Sequence, residues 1–296
     1  MKRKGIVSRR TILFSFLLLL IMILCGSLWD YPISKALFNP SSLFGLFFAA
    51  FGEYPLALAF AVAGTLLIIS RNKEKRVLSI LQIILGVFFV FSSFSMATIL
   101  PMLNLNLSLL PALLIGATSV VLIIFGTAYI SKESDRRTAI RIALFIVSVV
   151  ILDILIVNVV KVPWGRARMR LIAIDERAYF VPWWKPGTEM RDTLVAMGVN
   201  GEEFKSFPSG HTADASALLM LSILPFLSRK WEGKEDILFI IGIIWTIVVG
   251  FSRIVMGAHF LSDVTVGMTI GLLVFLLCSK VFLVRGKPVP SDHPMV

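Results

Sequence analysis

Long apolar runs most constrain how this chain can fold. Eight stretches carry almost no charge: residues 11–29, 51–70, 77–100, 109–130, 142–160, 211–227, 237–251 and 262–283. A helix needs about 20 residues to cross about 30 Å of hydrocarbon, and most of these stretches are near that length. A hydrophobic share of 57% and a mean hydropathy of +0.88 also argue against a soluble globule. The sequence therefore predicts an all-α, polytopic membrane bundle of about eight transmembrane helices.

The distribution of cations predicts how the bundle is oriented. The net charge is +11, which in a soluble protein would suggest nucleic acid as a partner. Here the basic clusters lie in short segments between the runs, at 2–10, 71–76, 132–141, 229–234 and 285–287. With eight spans, all of them fall on one side of the membrane, which the positive-inside rule makes cytoplasmic. We therefore expect the bilayer, not nucleic acid, as partner, with both termini cytoplasmic in a bacterial cytoplasmic membrane.

The long segment from 161 to 210 breaks this pattern, because it lies on the predicted outer side and is nevertheless basic. Its cations are Lys161, Arg166, Arg168, Arg170, Arg177, Lys185, Arg191 and Lys205. Long loops tolerate positive charge, so a solvated loop is one interpretation. The other is that some of these cations bind an anion.

Three polar motifs at the outer ends of the runs favour the second interpretation. Lys161 and Arg168, with six residues between them, follow the fifth run. Pro-Ser-Gly-His, ending at His211, opens the sixth. Ser-Arg, five residues, His259, three residues and Asp263 join the seventh to the eighth. The predicted topology brings all three motifs to one membrane face.

These residue types suit phosphate chemistry. A helix that starts at Ser209 and Gly210 points backbone N–H groups at a bound anion, and glycine allows a close approach. His259 and Asp263 are four residues apart, so they share one helical face, and a carboxylate can fix the imidazole tautomer that leaves the other nitrogen nucleophilic. Fixed cations stabilise the charge of a transferring phosphoryl group.

Together, the motifs resemble the three-part signature of the type 2 phosphatidic acid phosphatase superfamily, which also includes glucose-6-phosphatase and vanadium haloperoxidases. The resemblance covers about 142–283. It implies that His259 attacks phosphorus to form a phosphohistidine, that Asp263 orients it, and that His211 protonates the leaving oxygen. It implies further that the phosphate is held by Lys161, Arg168, Ser209, Gly210 and Arg253.

The resemblance also implies catalysis without a metal or other cofactor, and the sequence offers no obvious carboxylate cluster to hold a metal. One position departs from the family pattern: Met169 follows Arg168, where proline is usual. Cys25 and Cys278 both lie in apolar runs, so we expect two buried thiols and no disulfide.

Other polar residues near the motifs are predicted to have lesser roles. Arg166 and Arg170 flank Arg168 and are expected to be solvated. Asp153, inside the fifth run, is expected to be structural and to pair with another buried polar group. Asp214 and Glu53 are secondary candidates for contact with the site. The tryptophans of the outer segment are expected to anchor it at the membrane interface: Trp164, Trp183 and Trp184.

The predicted organisation is one integral membrane domain, with N-terminal spans (1–140), a phosphatase core (141–283) and a cytoplasmic tail (284–296). The predicted function is hydrolysis of a lipid phosphate or pyrophosphate at the outer face. Undecaprenyl pyrophosphate, phosphatidic acid, phosphatidylglycerol phosphate and lipid A are candidate substrates. Phosphotransfer to another alcohol, hydrolysis of a soluble phosphate ester and lipid transport remain as alternatives. The length of the loop 169–205 favours some function for it.

Overall fold

The computed structural model describes residues 6–283, so the predicted tail 284–296, with His293, lies outside the described residues. Within the described part the chain forms helices and no strand, which confirms the predicted all-α bundle. The α-helices are α1 Arg9–Leu37, α2 Leu43–Phe51, α3 Tyr54–Ile69, α4 Arg76–Asn104, α5 Leu109–Ile130, α6 Arg136–Trp164, α7 Met169–Ile172, α8 Thr188–Ala196, α9 Gly210–Ala215, α10 Glu235–Val255 and α11 Leu261–Phe282. The 3₁₀ helices are Ser131–Glu133, Gly201–Phe204, Ser216–Phe226 and Arg229–Trp231.

Seven helical segments between residues 6 and 283 are long and apolar enough to cross a membrane. The eighth predicted span, 211–227, does not form one long α-helix: it is the short α9 followed by the 3₁₀ helix Ser216–Phe226. A 3₁₀ helix rises about 2.0 Å per residue against about 1.5 Å in an α-helix, so the two pieces together extend about 31 Å. The hydroxyls of Ser216 and Ser222 donate to carbonyls three residues back, which suits this tight winding.

The helices differ in how deeply they are packed. Helices α10 and α11 are the most buried of the seven, and α11 contacts α1, α6, α9 and α10. Helices α1, α4 and α5 are peripheral and expose many large apolar side chains, such as Leu13 and Phe88. Exposed apolar surface of this extent is expected of helices that face lipid. The motif-bearing helices therefore form the interior of the bundle.

A buried ion-pair cluster joins the first helix to the last. Arg166 is fully buried and donates to Asp30 Oδ2 at 2.9 Å, to Ser262 Oγ at 2.9 Å and to Asp263 Oδ1. Asp30 also accepts from the backbone N–H of Ser262 at 2.8 Å. The expectation that Arg166 is solvated was therefore wrong, because two acidic partners from distant helices neutralise it inside the fold.

The outer segment between α6 and α9 is a folded unit. It has its own apolar core, formed by Ala167, Leu171, Ala178, Met190, Leu194 and Phe204. Arg170, expected to be solvated, instead makes a two-bond ion pair with Glu203, at 2.9 and 2.6 Å, and remains about one-third exposed. Trp183 Nε1 donates to Ser27 Oγ on α1 at 3.0 Å. These contacts hold the segment against the bundle and over the ends of the motif helices.

Candidate active site

The three motifs converge at one end of α6, α9 and α10. A tight turn with Gly257 at φ +63° joins α10 to α11 and carries His259. A Cβ at Gly257 would stand 2.5 Å from the Phe38 ring, so both the conformation and the space there call for glycine. The N–H groups of Ala258 and His259 both donate to the carbonyl of Arg253, at 3.0 and 3.3 Å. The turn thus fixes His259 beside the end of α10.

The ring of His259 is buried and has a defined tautomer. Its Nδ1 lies 2.5 Å from the carbonyl oxygen of Ser206, and a carbonyl can only accept. Nδ1 must therefore carry the proton, which leaves the lone pair on Nε2. Sequence reasoning missed Ser206, since a backbone carbonyl leaves no signature in a motif.

Asp263 acts on His259 through neighbours. Its Oδ2 lies 4.0 Å from His259 Nδ1, beyond hydrogen-bond distance. The same oxygen accepts from Ser206 Oγ at 2.6 Å and from the N–H of Phe260 at 2.8 Å. The carboxylate thus holds both the residue that bonds to the imidazole and the turn that carries it. Its predicted orienting role stays a prediction, and the contact through which it would act is indirect.

Several cationic donors near His259 lack a protein partner. Nε of Arg168, and Nε and Nη1 of Arg253, are buried and without a hydrogen bond to any described residue. The Arg253 side chain is itself buried. A buried, unbonded donor costs free energy, and the cost is greater when the group is charged. Such an arrangement suits a site that takes up an anion.

The start of α9 lies next to these cations. Ser209 caps the helix by accepting from the N–H of Thr212 at 3.3 Å. A Cβ on Gly210 would stand 3.2 Å from Lys161 Nζ, so the ammonium group lies against the first turn of the helix. Gly267 of α11 is equally constrained, because a Cβ there would stand 2.3 Å from the Ser209 carbonyl oxygen. The predicted phosphate-holding residues from separate motifs are therefore neighbours.

His211 contacts a residue that lies far away in the sequence. Its Nδ1 is 3.0 Å from Glu53 Oε1, at the break between α2 and α3, and its Nε2 is buried without a partner among residues 6–283. Glu53 was only a secondary candidate, since nothing in its local sequence links it to the motifs. Asp214 interacts with Glu53, and Asp153 interacts with Asp214. The oxygens of Asp153 are buried and have no hydrogen-bond partner among the described residues, so Asp153 and Asp214 interact by proximity and charge.

The surroundings of His259 keep its imidazole neutral. Burial, and then the charges of Lys161, Arg168 and Arg253, hold the pKa of His259 well below its usual range. A neutral ring with a free Nε2 is the form that can attack an electrophile.

This depressed pKa predicts how stability depends on pH. Below about pH 6.5 the unfolded chain binds a proton at His259 that the folded protein does not. Stability should therefore fall with decreasing pH by up to about 1.4 kcal/mol per pH unit from this group. Between pH 8 and pH 5, thermal unfolding should show a smaller loss of stability in His259→Gln than in wild type. Parallel curves for the two proteins would contradict the buried neutral form.

Comparison with known proteins supports the family resemblance. The family model of the PAP2 superfamily matches residues 142–287, which confirms the resemblance and its extent. The chain is 40% identical over 87 residues to phosphatidylglycerophosphatase B of Bacillus subtilis, covering 27% of this chain and 38% of that protein. It is 29% identical over 143 residues to lipid A 4'-phosphatase of Porphyromonas gingivalis, covering 48% and 52%. It is 34% identical over 95 residues to lipid A 1-phosphatase of Rhizobium johnstonii, covering 31% and 35%.

The chain thus spans about a third to a half of the length of these curated relatives. No solved structure matches it significantly. The matched region holds all three motifs and excludes Asp30 and Glu53.

Proposed function

Since residues 142–287 belong to the PAP2 superfamily, we propose that this protein is a lipid phosphatase that acts through a phosphohistidine and without a metal. The observation that carries the proposal is the set of buried donors on Arg168 and Arg253, together with Nε2 of His211, that bond to no described residue near the buried His259. A purely structural cluster would satisfy those donors. A site for a phosphate ester leaves them for the substrate.

The proposed reaction has two steps. Nε2 of His259 attacks phosphorus, the bond from phosphorus to the leaving oxygen breaks, and His211 Nε2–H gives its proton to that oxygen. Water then attacks the phosphohistidine, His211 takes up a proton from it, and inorganic phosphate leaves as the P–N bond breaks. Lys161, Arg168 and Arg253, together with the α9 N-terminus, stabilise the phosphoryl oxygens in both steps. General acid–base assistance of this kind contributes about 10²–10⁴-fold.

An apolar cavity supports a lipid substrate. It has a volume of about 340 Å³ and lies between α3, α6, α10 and the 3₁₀ helix Ser216–Phe226. Its lining runs from Tyr54, directly after the His211 partner Glu53, to Leu227 at the far end of the 3₁₀ helix. We assign it to the apolar tail of the phosphorylated lipid. An apolar lining spares the tail exposure to water, which costs about 0.8 kcal/mol per methylene.

Filling the cavity should change chain-length preference. Leu58→Trp places a larger ring in the cavity lining, so kcat/KM for a long-chain alkyl phosphate should fall about tenfold, while that for a short-chain analogue should stay within about twofold. The measurement is phosphate release in detergent with chains of increasing length. Leu13→Trp, on the exposed face of α1, is the matched control. Equal losses of kcat/KM on long-chain and short-chain substrates would contradict the assignment of the cavity to the lipid tail.

The proposed function is tested by phosphate release from the detergent-purified full chain in excess EDTA. The panel includes phosphatidylglycerol phosphate, phosphatidic acid, undecaprenyl pyrophosphate, lipid A and a water-soluble sugar phosphate. We expect release from one or more lipids, and little from the sugar phosphate. Loss of release in EDTA would contradict the metal-independent mechanism. Transfer of labelled phosphate to an added alcohol, with no free phosphate, would identify a phosphotransferase.

We propose further that the site faces the outer side of a bacterial cytoplasmic membrane. The support is that the short basic segments lie at the helix ends opposite the site, and the positive-inside rule places such segments in the cytoplasm. Hydrolysis of a lipid phosphate confined to the outer leaflet of sealed, right-side-out vesicles tests this orientation. Hydrolysis only after the vesicles are opened would contradict it.

A further inference from the structure

Glu53 is the carboxylate in direct contact with His211, and it comes from outside the family match. Its Oε1 lies 3.0 Å from His211 Nδ1, and its side chain is only 14% exposed. The other ring nitrogen of His211 is buried and without a described partner. The carboxylate thus holds one nitrogen and leaves the other without a hydrogen bond to any described residue.

We propose that Glu53 is a positioning residue, which fixes the His211 ring and stabilises its protonated form so that Nε2–H can protonate the leaving oxygen. This inference rests on the proposed function and deepens it. In the first step the His211 proton passes to the alkoxide as the P–O bond breaks. Glu53 itself neither touches the substrate nor exchanges a proton with it.

The charges around His211 explain why such a partner is needed. Burial of the ring disfavours a positive charge there, and the charges of Arg253 on α10 and Lys161 on α6 act in the same direction. The Glu53 carboxylate, between α2 and α3, acts in the opposite direction. Asp214 on α9 interacts with Glu53 and also with Asp153 on α6. Without Glu53, the imidazolium would face cations with no adjacent anion.

The residue also explains how the N-terminal part of the chain can contribute to the reaction. Tyr54, which follows Glu53, donates to the carbonyl of Ala97 on α4 at 2.6 Å. The carbonyl of Gly52, which precedes Glu53, accepts from Trp245 Nε1 on α10 at 3.2 Å. Both neighbours are therefore fixed, and the carboxylate is held at its place between two helices.

The test compares two leaving groups. An alkyl phosphate releases a poor leaving group that needs protonation, whereas 4-nitrophenyl phosphate releases one that does not. Glu53→Ala should lower kcat/KM for dodecyl phosphate by about 100-fold. Glu53→Gln, whose amide oxygen can still accept from Nδ1–H, should lower it by about tenfold. On the aryl phosphate both variants should stay within about threefold of wild type, because kcat/KM reports only formation of the phosphohistidine.

The exposed Glu189→Gln on α8 is the matched control, and size-exclusion chromatography checks that each variant is folded. In a His211→Ala background, adding Glu53→Gln should lower kcat/KM for dodecyl phosphate by less than a further twofold. Equal losses on both substrates, or full activity on both, would overturn the positioning role. Absence of phosphate release by the wild type would instead remove the proposed function, so the two failures are distinguishable.

Discussion

Replacing His259 with alanine is expected to lower phosphate release by on the order of 10⁴-fold or more, the largest effect of any single change on activity. In the proposed reaction the imidazole of His259 is the attacking group, and the other histidine of the site, His211, is held by Glu53 and serves as the acid. Lys161, Arg168 and Arg253 remain in the variant. The His259→Ala variant should therefore still bind a phosphate ester but fail to catalyse its hydrolysis.

The measurement is single-turnover phosphate release with a radiolabelled lipid phosphate, together with trapping of the phosphoenzyme by an alkaline denaturing quench. Wild type should accumulate a phosphohistidine that is stable in base and labile in acid, and His259→Ala should accumulate none. His293→Ala, in the tail beyond the described residues, is the matched histidine control and should leave activity unchanged. A labelled phosphoenzyme in the His259 variant would assign the nucleophile to another residue.

Much of the site was predictable because motifs report local chemistry. Ser209 and Gly210 were identified from a helix-start pattern, and the structure has a capped helix there. His259 and Asp263 were identified from a four-residue spacing. What the spacing could not reveal is that α11 begins at Leu261. His259 therefore precedes the helix, and a backbone carbonyl, rather than the carboxylate, contacts its ring.

The parts of the site that sequence reasoning missed or ranked low come from long-range contacts. Asp30, which was missed, follows the first apolar run, and Glu53, a secondary candidate, lies in the second; their partners Arg166 and His211 are more than a hundred residues away. Charge alone also misled the prediction for Arg166, because a cation in a long basic loop has the same sequence signature whether it is solvated or buried. Residues 211–227 were predicted from hydropathy to be an eighth span, but their winding as α9 and a 3₁₀ helix was not predicted, since periodicity is weak in a run that is apolar throughout.

Replacing Arg166 with methionine is expected to have the largest effect on stability, about 3–5 kcal/mol. The change leaves the carboxylates of Asp30 and Asp263 buried, each without its guanidinium partner. It also removes the cation that packs against the rings of Phe180 and Phe260, whose centroids lie 5.2 and 4.3 Å from Arg166 Cζ. Thermal unfolding of the purified protein in detergent measures the loss. Arg177→Met is the control, because that arginine is exposed and pairs locally with Asp175.

A second substitution separates loss of a charge partner from loss of packing. In the variant Arg166→Met, adding Asp30→Asn removes one of the two stranded carboxylates, so the double variant should be more stable than the sum of the single effects predicts. An additive result would mean that Arg166 and Asp30 do not stabilise each other. The coupling matters for the site as well, because Asp263 bonds to both Arg166 and Ser206. Through Ser206, the ion pair between the first and last helices helps fix the tautomer of His259.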